Sequence, residues 1–135
     1  MGIQTHWHDD QQTIILTRCD NVWTWDDYHT ATQEIRRLAQ QITHPFVVIV
    51  DMSQSNILPK GGNISNVRVT HRKPLAHFRG VVIVGAPFLT SVLITTLRGF
   101  SPSIARKYFS AKTVADGLLL ATTLRLRPPF EPSTP

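Results

Sequence analysis

The residue types able to do chemistry gather between positions 51 and 72: Asp51, Ser53, Ser55, Lys60, Gly61, Gly62, Asn63, Ser65, Arg68 and Arg72. Asp51 closes an apolar run, the serines offer hydroxyls for capping or modification, and Lys60 leads into two glycines. Such a loop can turn backbone N–H groups toward an anion, helped by a helix N-terminus and a lysine charge. The spacing is not that of a Walker loop, and the same glycines serve turn geometry. No nucleophile stands at a recognisable distance from a base and no carboxylates are paired, so the expectation is a protein without catalytic residues. His6 and His8 share one face of an alternating stretch beside Asp9 and Asp10. Two ligands on a strand fall short of the three or four that a metal site uses, so neither a metal nor a cofactor is expected.

The elements that must position these residues follow from apolar periodicity. Phe46 to Val50, just before Asp51, offers no polar alternation, which predicts a strand buried on both faces in the middle of a sheet. In open α/β sheets the crevice beyond the carboxyl ends of such strands is where ligands and partners are met. Upstream, Ile3 to His8 alternates as a half-buried strand, Asp9 to Gln12 forms a turn, and Thr13 to Arg18 pairs back antiparallel. Thr24 and Asp27 have capping-box spacing, and Tyr28, Ala31, Ile35, Leu38 and Ile42 then mark a helical stripe, with Trp23 and Trp25 locking the corner.

Downstream, residues 63–76 carry both a helical stripe and β-branched residues, and are read as a helix ending near Pro74. Gly80 to Gly85 is a second buried strand. Pro87 starts a helix to about Arg98, stopped by Gly99, with Phe88, Val92, Leu93 and Leu97 on the sheet. Ser103 to Phe109 is read as a last edge strand, and Thr113 with Asp116 caps a final helix facing inward through Val114, Leu118, Ala121 and Leu119, Thr122, Leu126. The expectation is one α/β domain over residues 1–127, elements in the order ββαβαβαβα, a mixed sheet of about five strands with about four helices on it. Residues 128–135 are read as a flexible Pro-rich tail.

The 135 residues suffice for one core without staples, and 41% apolar with 17% charged residues is a globular composition. Apolar runs are too short for a membrane span, and the start lacks the pattern of a signal peptide. A single Cys19 forms no intrachain disulfide, which suits a cytoplasmic location. The net charge is +5 and unevenly spread: between Asp51 and Asp116 there is no acid, while nine bases from Lys60 to Lys112 fall there. A positive side of this kind attracts an acidic protein, a phosphate-bearing ligand or nucleic acid.

Taken together, VVIVDMS, GVVIVGAPFLTSVLITTLRGF and KYFSAKTVADGLLLA resemble, in order and spacing, the buried strand ending in Asp-Leu-Ser, the strand, Val-Gly turn and helix, and the closing strand and helix of the STAS domain, the family of bacterial anti-sigma-factor antagonists. The resemblance covers nearly the whole chain and implies a regulatory, protein-binding role. In that family Asp-Ser-Ser-Gly follows, and its serine is phosphorylated; here the aligned residues are Pro59-Lys60-Gly61-Gly62, so only the last glycine survives. Gly61 cannot carry a phosphate, although Ser53, Ser55 and Ser65 lie nearby, where serines also serve as caps.

The function expected from these observations is a non-enzymatic signalling module that binds another protein, an acidic surface being favoured. The alternative is a domain for a small apolar or anionic ligand, lipid-like or nucleotide, lodged beneath the loop beside Ile57, Leu58 and Ile64. Nucleic acid is the least supported partner, since charge alone argues for it and no reading module is present. A dimer is compatible with the sequence.

Overall fold

A computed structural model describes residues 2–55, 75–85 and 87–130. They form an α/β fold around one mixed sheet whose spatial order repeats the chain order, β1-β2-β3-β4-β5. Strand β1 (Ile3–Trp7) runs antiparallel to β2 (Ile14–Cys19), while β3 (Phe46–Asp51), β4 (Phe78–Val84) and β5 (Tyr108–Ala111) all run parallel to β2. The first pair is antiparallel because its connection is a tight turn, and a parallel pair needs a longer crossover. Asp9 closes that turn: its carboxylate accepts from the backbone N–H of Thr13 at 2.9 Å and of Ile14 at 3.0 Å, and from the Thr13 hydroxyl. Burial raises the Asp9 pKa, but these donors outweigh it and hold the carboxyl below its usual value.

Helix α1 (Trp25–Ala39) begins where the sequence predicts. The Thr24 hydroxyl accepts from Asp27 N–H, and Asp27 reaches back to Thr24 N–H, a complete capping box. Its buried residues include Ala31 and Leu38; Ile42 is buried as well, but lies past the C-cap Gln40. The α1 side of the sheet gathers Ile15, Phe46, Val48, Val81 and Ile83, whereas Ile14, Leu16, Val47, Ile49, Val82 and Val84 point to the opposite face. Every central strand therefore buries both faces, as the unbroken apolar run of β3 requires. Each fully buried Val or Ile contributes about 1.5–3 kcal/mol relative to exposure.

Beyond β4, helix α2 (Pro87–Phe100) starts at the expected proline but runs through Gly99. A glycine stops a helix by adopting a left-handed conformation; Gly99 does not, and Pro102 is where the chain turns instead. Leu97 is fully buried, while Phe88 is 78% and Val92 47% exposed, so the expected sheet-covering stripe is narrower than its apolar count. The expected strand Ser103–Phe109 is corrected: Pro102–Ala105 form a short helix, α3, and β5 starts only at Tyr108. Proline at the first turn and inward-facing Ile104 and Ala105, packed on Leu97, select one helical turn over an extended edge.

Helix α4 (Val114–Arg125) covers the second face through the expected Val114, Leu118 and Ala121, while the second expected set, Leu119, Thr122 and Leu126, is exposed. Gly117, Ala121 and Leu124 are buried, whereas Leu119 and Leu126 are 72% and 85% exposed. A Cβ at Gly117 would stand 2.9 Å from Val84 Cγ2, so the bare glycine lets the helix approach β4 closely. Of the tail residues, 128–130 are described: Phe130 packs 6.1 Å from Phe78, with the Arg106 and Lys107 charges 5.8 and 5.9 Å from its ring. Buried Arg79 fastens the approach to it, donating to the Arg127 carbonyl at 3.2 Å. The helix expected over 63–76 falls largely outside the described residues. Among those described, no helix is long and apolar enough to cross a membrane.

Candidate functional site

The parallel register of β2 and β3 sets Arg18 beside Asp51 where both strands end. The Arg18 Nε lies 3.6 Å from the Asp51 carboxylate, with the arginine side chain 52% exposed and the aspartate 6%. Asp51 also accepts from Ser53 twice, from its backbone N–H at 3.0 Å and its hydroxyl at 2.6 Å. The first of these bonds is an Asx turn, the local fold by which an aspartate reverses the chain two residues on. A carboxylate taken out of water needs such donors, since a buried charge without them is costly.

The turn rests on β4. Met52 N–H continues the ladder to the Val84 carbonyl at 2.8 Å, and Gly85 then presses against Ser53. Gly85 has φ +76°, and a Cβ there would stand 2.7 Å from Ser53 Cα, so two independent constraints demand glycine. The Gly85 carbonyl accepts from the hydroxyl of buried Thr90 at 3.3 Å, which ties the same corner to α2.

On the other side, Trp23 Nε1–H donates 3.0 Å to the Ser55 hydroxyl, and Ser55 is wholly enclosed. Trp23 meets Trp25 edge-on at 5.4 Å, and Trp25 meets Tyr28 in the same way. The tryptophans thus lock the entry to α1, as their position suggests, and fasten the chain leaving β3 to it. Next to this corner is Cys19, whose thiol is pushed up to about 12 by burial, then by the charges of Asp51 and Asp20. The result is a fixed base carrying an exposed tip, Ser53 and Gln54, with the Arg18 guanidinium beside it.

Of the residues read from the sequence as a binding loop, the structure therefore brings together Asp51 and Ser53 and encloses Ser55. Lys60, Gly61, Gly62, Asn63, Ser65, Arg68 and Arg72 lie outside the described residues. Arg18, Gly85 and the Trp23–Ser55 bond are additions. Arg18 was within reach of the sequence, because aligning the predicted β2 and β3 in parallel places it opposite Asp51. Contacts such as Gly85 on Ser53 have no local signature. Near β1, Asp9 is engaged in its turn; among the described residues no three of His, Cys, Asp and Glu come together as a metal-binding group.

Chemically, the corner presents a guanidinium with free surface and a hydroxyl whose proton is directed to Asp51. Its carboxylate holds the loop in shape. No protein-family model, no curated protein and no solved structure matches the chain.

Proposed function

We propose that the chain is a non-enzymatic interaction module of the STAS-like kind, docking another protein through the surface beyond the carboxyl ends of β2 and β3. One observation carries the reading: the Asp51 carboxylate accepts from the Ser53 N–H and hydroxyl and faces Arg18. Both Ser53 bonds fall on Oδ1 and Arg18 faces Oδ2, so the carboxylate serves to fix the turn and to hold a guanidinium at its exposed side. The exposed Ser53, Gln54 and Arg18 then form one border of the docking surface, and Lys60, Gly61, Gly62, Asn63, Ser65, Arg68 and Arg72, which follow in the sequence, are the further residues assigned to it. That stretch is acid-free, so the partner surface is acidic. Switching by a phosphate at Gly61 is ruled out by its lack of a hydroxyl.

The test is a pull-down from a cell lysate with immobilised wild-type protein beside the Lys60→Glu/Arg68→Glu and Arg18→Glu forms. The expected result is a specific acidic partner retained by the wild type and lost from both charge-reversed forms. Recovery of no specific partner, or of the same partner by all three, overturns the reading. Native mass spectrometry that shows instead a co-purified small molecule moves the assignment to the ligand-binding alternative.

A further inference from the structure

The two edges of the sheet are defended differently. Strand β5 is bounded by Arg106 and Lys107 on one side and Lys112 on the other, charges that discourage pairing with another chain. Strand β1, IQTHW, contains no Lys, Arg, Asp, Glu or Pro. Its ladder with β2 shows which groups are unused. Asp20 N–H bonds the Gly2 carbonyl and His8 N–H the Ile14 carbonyl, so even-numbered residues of β1 form the hydrogen-bonded pairs with β2. The N–H and C=O groups of Ile3, Thr5 and Trp7 therefore turn to the opposite side. Among the described residues no strand lies there.

The surroundings say what would fit. On the α1 side the edge opens into a groove of about 400 Å³, lined by Ile3 and Thr5 from the strand and Thr30, Ala31, Gln33, Glu34 and Arg37 from the helix. Both ends of the edge are acidic. Asp9 and Asp10 follow its last residues, while Asp20 is bonded to Gly2 and the Asp27 carboxylate lies against Gly2. Of the nearby bases, Arg37 is bonded to Glu34 at 2.9 Å, and the half-exposed Arg18 faces Asp51 at 3.6 Å. We propose that the open edge of β1 is a strand-addition site for an extended segment of a partner protein with basic residues at its ends.

Backbone pairing to Ile3, Thr5 and Trp7 supplies up to about six hydrogen bonds if the added strand is antiparallel. Every second side chain of that strand continues over the α1 groove, and lysines or arginines at its ends reach the flanking carboxylates. A second copy of this chain fits less well. Antiparallel self-pairing sets the Gly2 end of one β1 against the His8 end of the other, so Asp20 and Asp27 would face Asp9 and Asp10. This surface lies at the sheet edge, apart from the β2–β3 corner, and its chemistry is opposite to that of the acid-free stretch.

The probes are two short synthetic peptides of alternating valine and threonine, one with lysines at both ends and one with glutamates, titrated into the full chain and followed by amide hydrogen exchange. The expected result is that the lysine-ended peptide slows exchange at Ile3, Thr5 and Trp7, leaves the protected amides of Gln4 and His6 unchanged, and binds at least about ten-fold more tightly than its glutamate-ended counterpart. Thr5→Pro removes an outward N–H and leaves the backbone ladder to β2 in place, at the loss of the Thr5–Thr17 hydroxyl contact, so it should abolish peptide binding while circular dichroism stays native. Equal binding of the two peptides, or of neither, overturns the proposal. So does protection of Ile3, Thr5 and Trp7 in the peptide-free protein, whether it is dimeric, the edge being taken by a second copy, or monomeric, the edge being covered by its own chain.

Discussion

Cys19 shows how position decides what a side chain can do. Enclosed in the α1-side core and pushed up to about 12 by burial and by its neighbours Asp51 and Asp20, its thiol is almost wholly protonated at neutral pH. The folded protein is therefore expected to resist a thiol-reactive disulfide reagent at pH 8 and to react in full once unfolded in urea. The same shift affects stability. A pKa raised on folding contributes stability that is complete below the unfolded value, near 9.0, and lost as pH climbs toward 12. Urea titrations at pH 7 and pH 10 should show a larger alkaline loss for the wild type than for Cys19→Ala. An equal loss would mean that the thiol does not sense its surroundings in this way. None of this was legible in the sequence, where a lone cysteine indicates only the absence of an intrachain disulfide; Asp51, by contrast, could be placed at a strand end from the apolar run before it.

Among the elements, those set by neighbouring residues were legible and those set by distant ones were not. Helix α1 was readable because Thr24 and Asp27, three residues apart, contain the whole of its cap. Helix α4 was half readable: Val114, Leu118 and Ala121 do face the sheet, but an apolar count treats Gly117 as a gap, although its missing side chain is what brings the helix onto Val84. Ser103 to Ala105, the first part of the strand expected over Ser103–Phe109, is helical because of inward contacts with Leu97 that cannot be seen locally. Gly85 combines both effects, since its turn has a local cause and its contact with Ser53 a distant one. Gly85→Ala is expected to cost about 2 kcal/mol or more, from the left-handed backbone together with a clash against main-chain atoms that cannot swing away. Gly117→Ala sits on ordinary helical backbone and meets side-chain atoms alone, Val84 Cγ2 at 2.9 Å and then Val82 and Ile49 at ordinary contact, and should cost less, on the order of 1 kcal/mol. Chemical denaturation ranks the two, and the reverse order would refute the argument from contact type. If the corner forms the border of the docking surface, Gly85→Ala also weakens partner binding, whereas Gly117→Ala does not.

At the scale of the molecule, the colinear strand order turns a sequence asymmetry into a spatial one. Because β1 to β5 lie side by side in chain order, charge that varies along the sequence varies across the sheet. Residues 2–55, which form β1 to β3 and α1, hold seven acids and three bases; residues 75–130, which form β4, β5 and the other helices, hold seven bases and one acid. The net charge of +5 thus hides an acidic half and a more strongly basic one. A polarised molecule presents its basic side to a cation-exchange surface, so retention should depend on where a charge is changed as well as on how many are changed. Arg106→Glu/Lys112→Glu and Arg36→Glu/Arg37→Glu remove the same net charge, the first pair from the basic half and the second from the acidic half. The first double variant is expected to elute at clearly lower salt than the second, each being checked by circular dichroism for native folding. Coincident elution would show that the protein meets charged surfaces through its total charge alone.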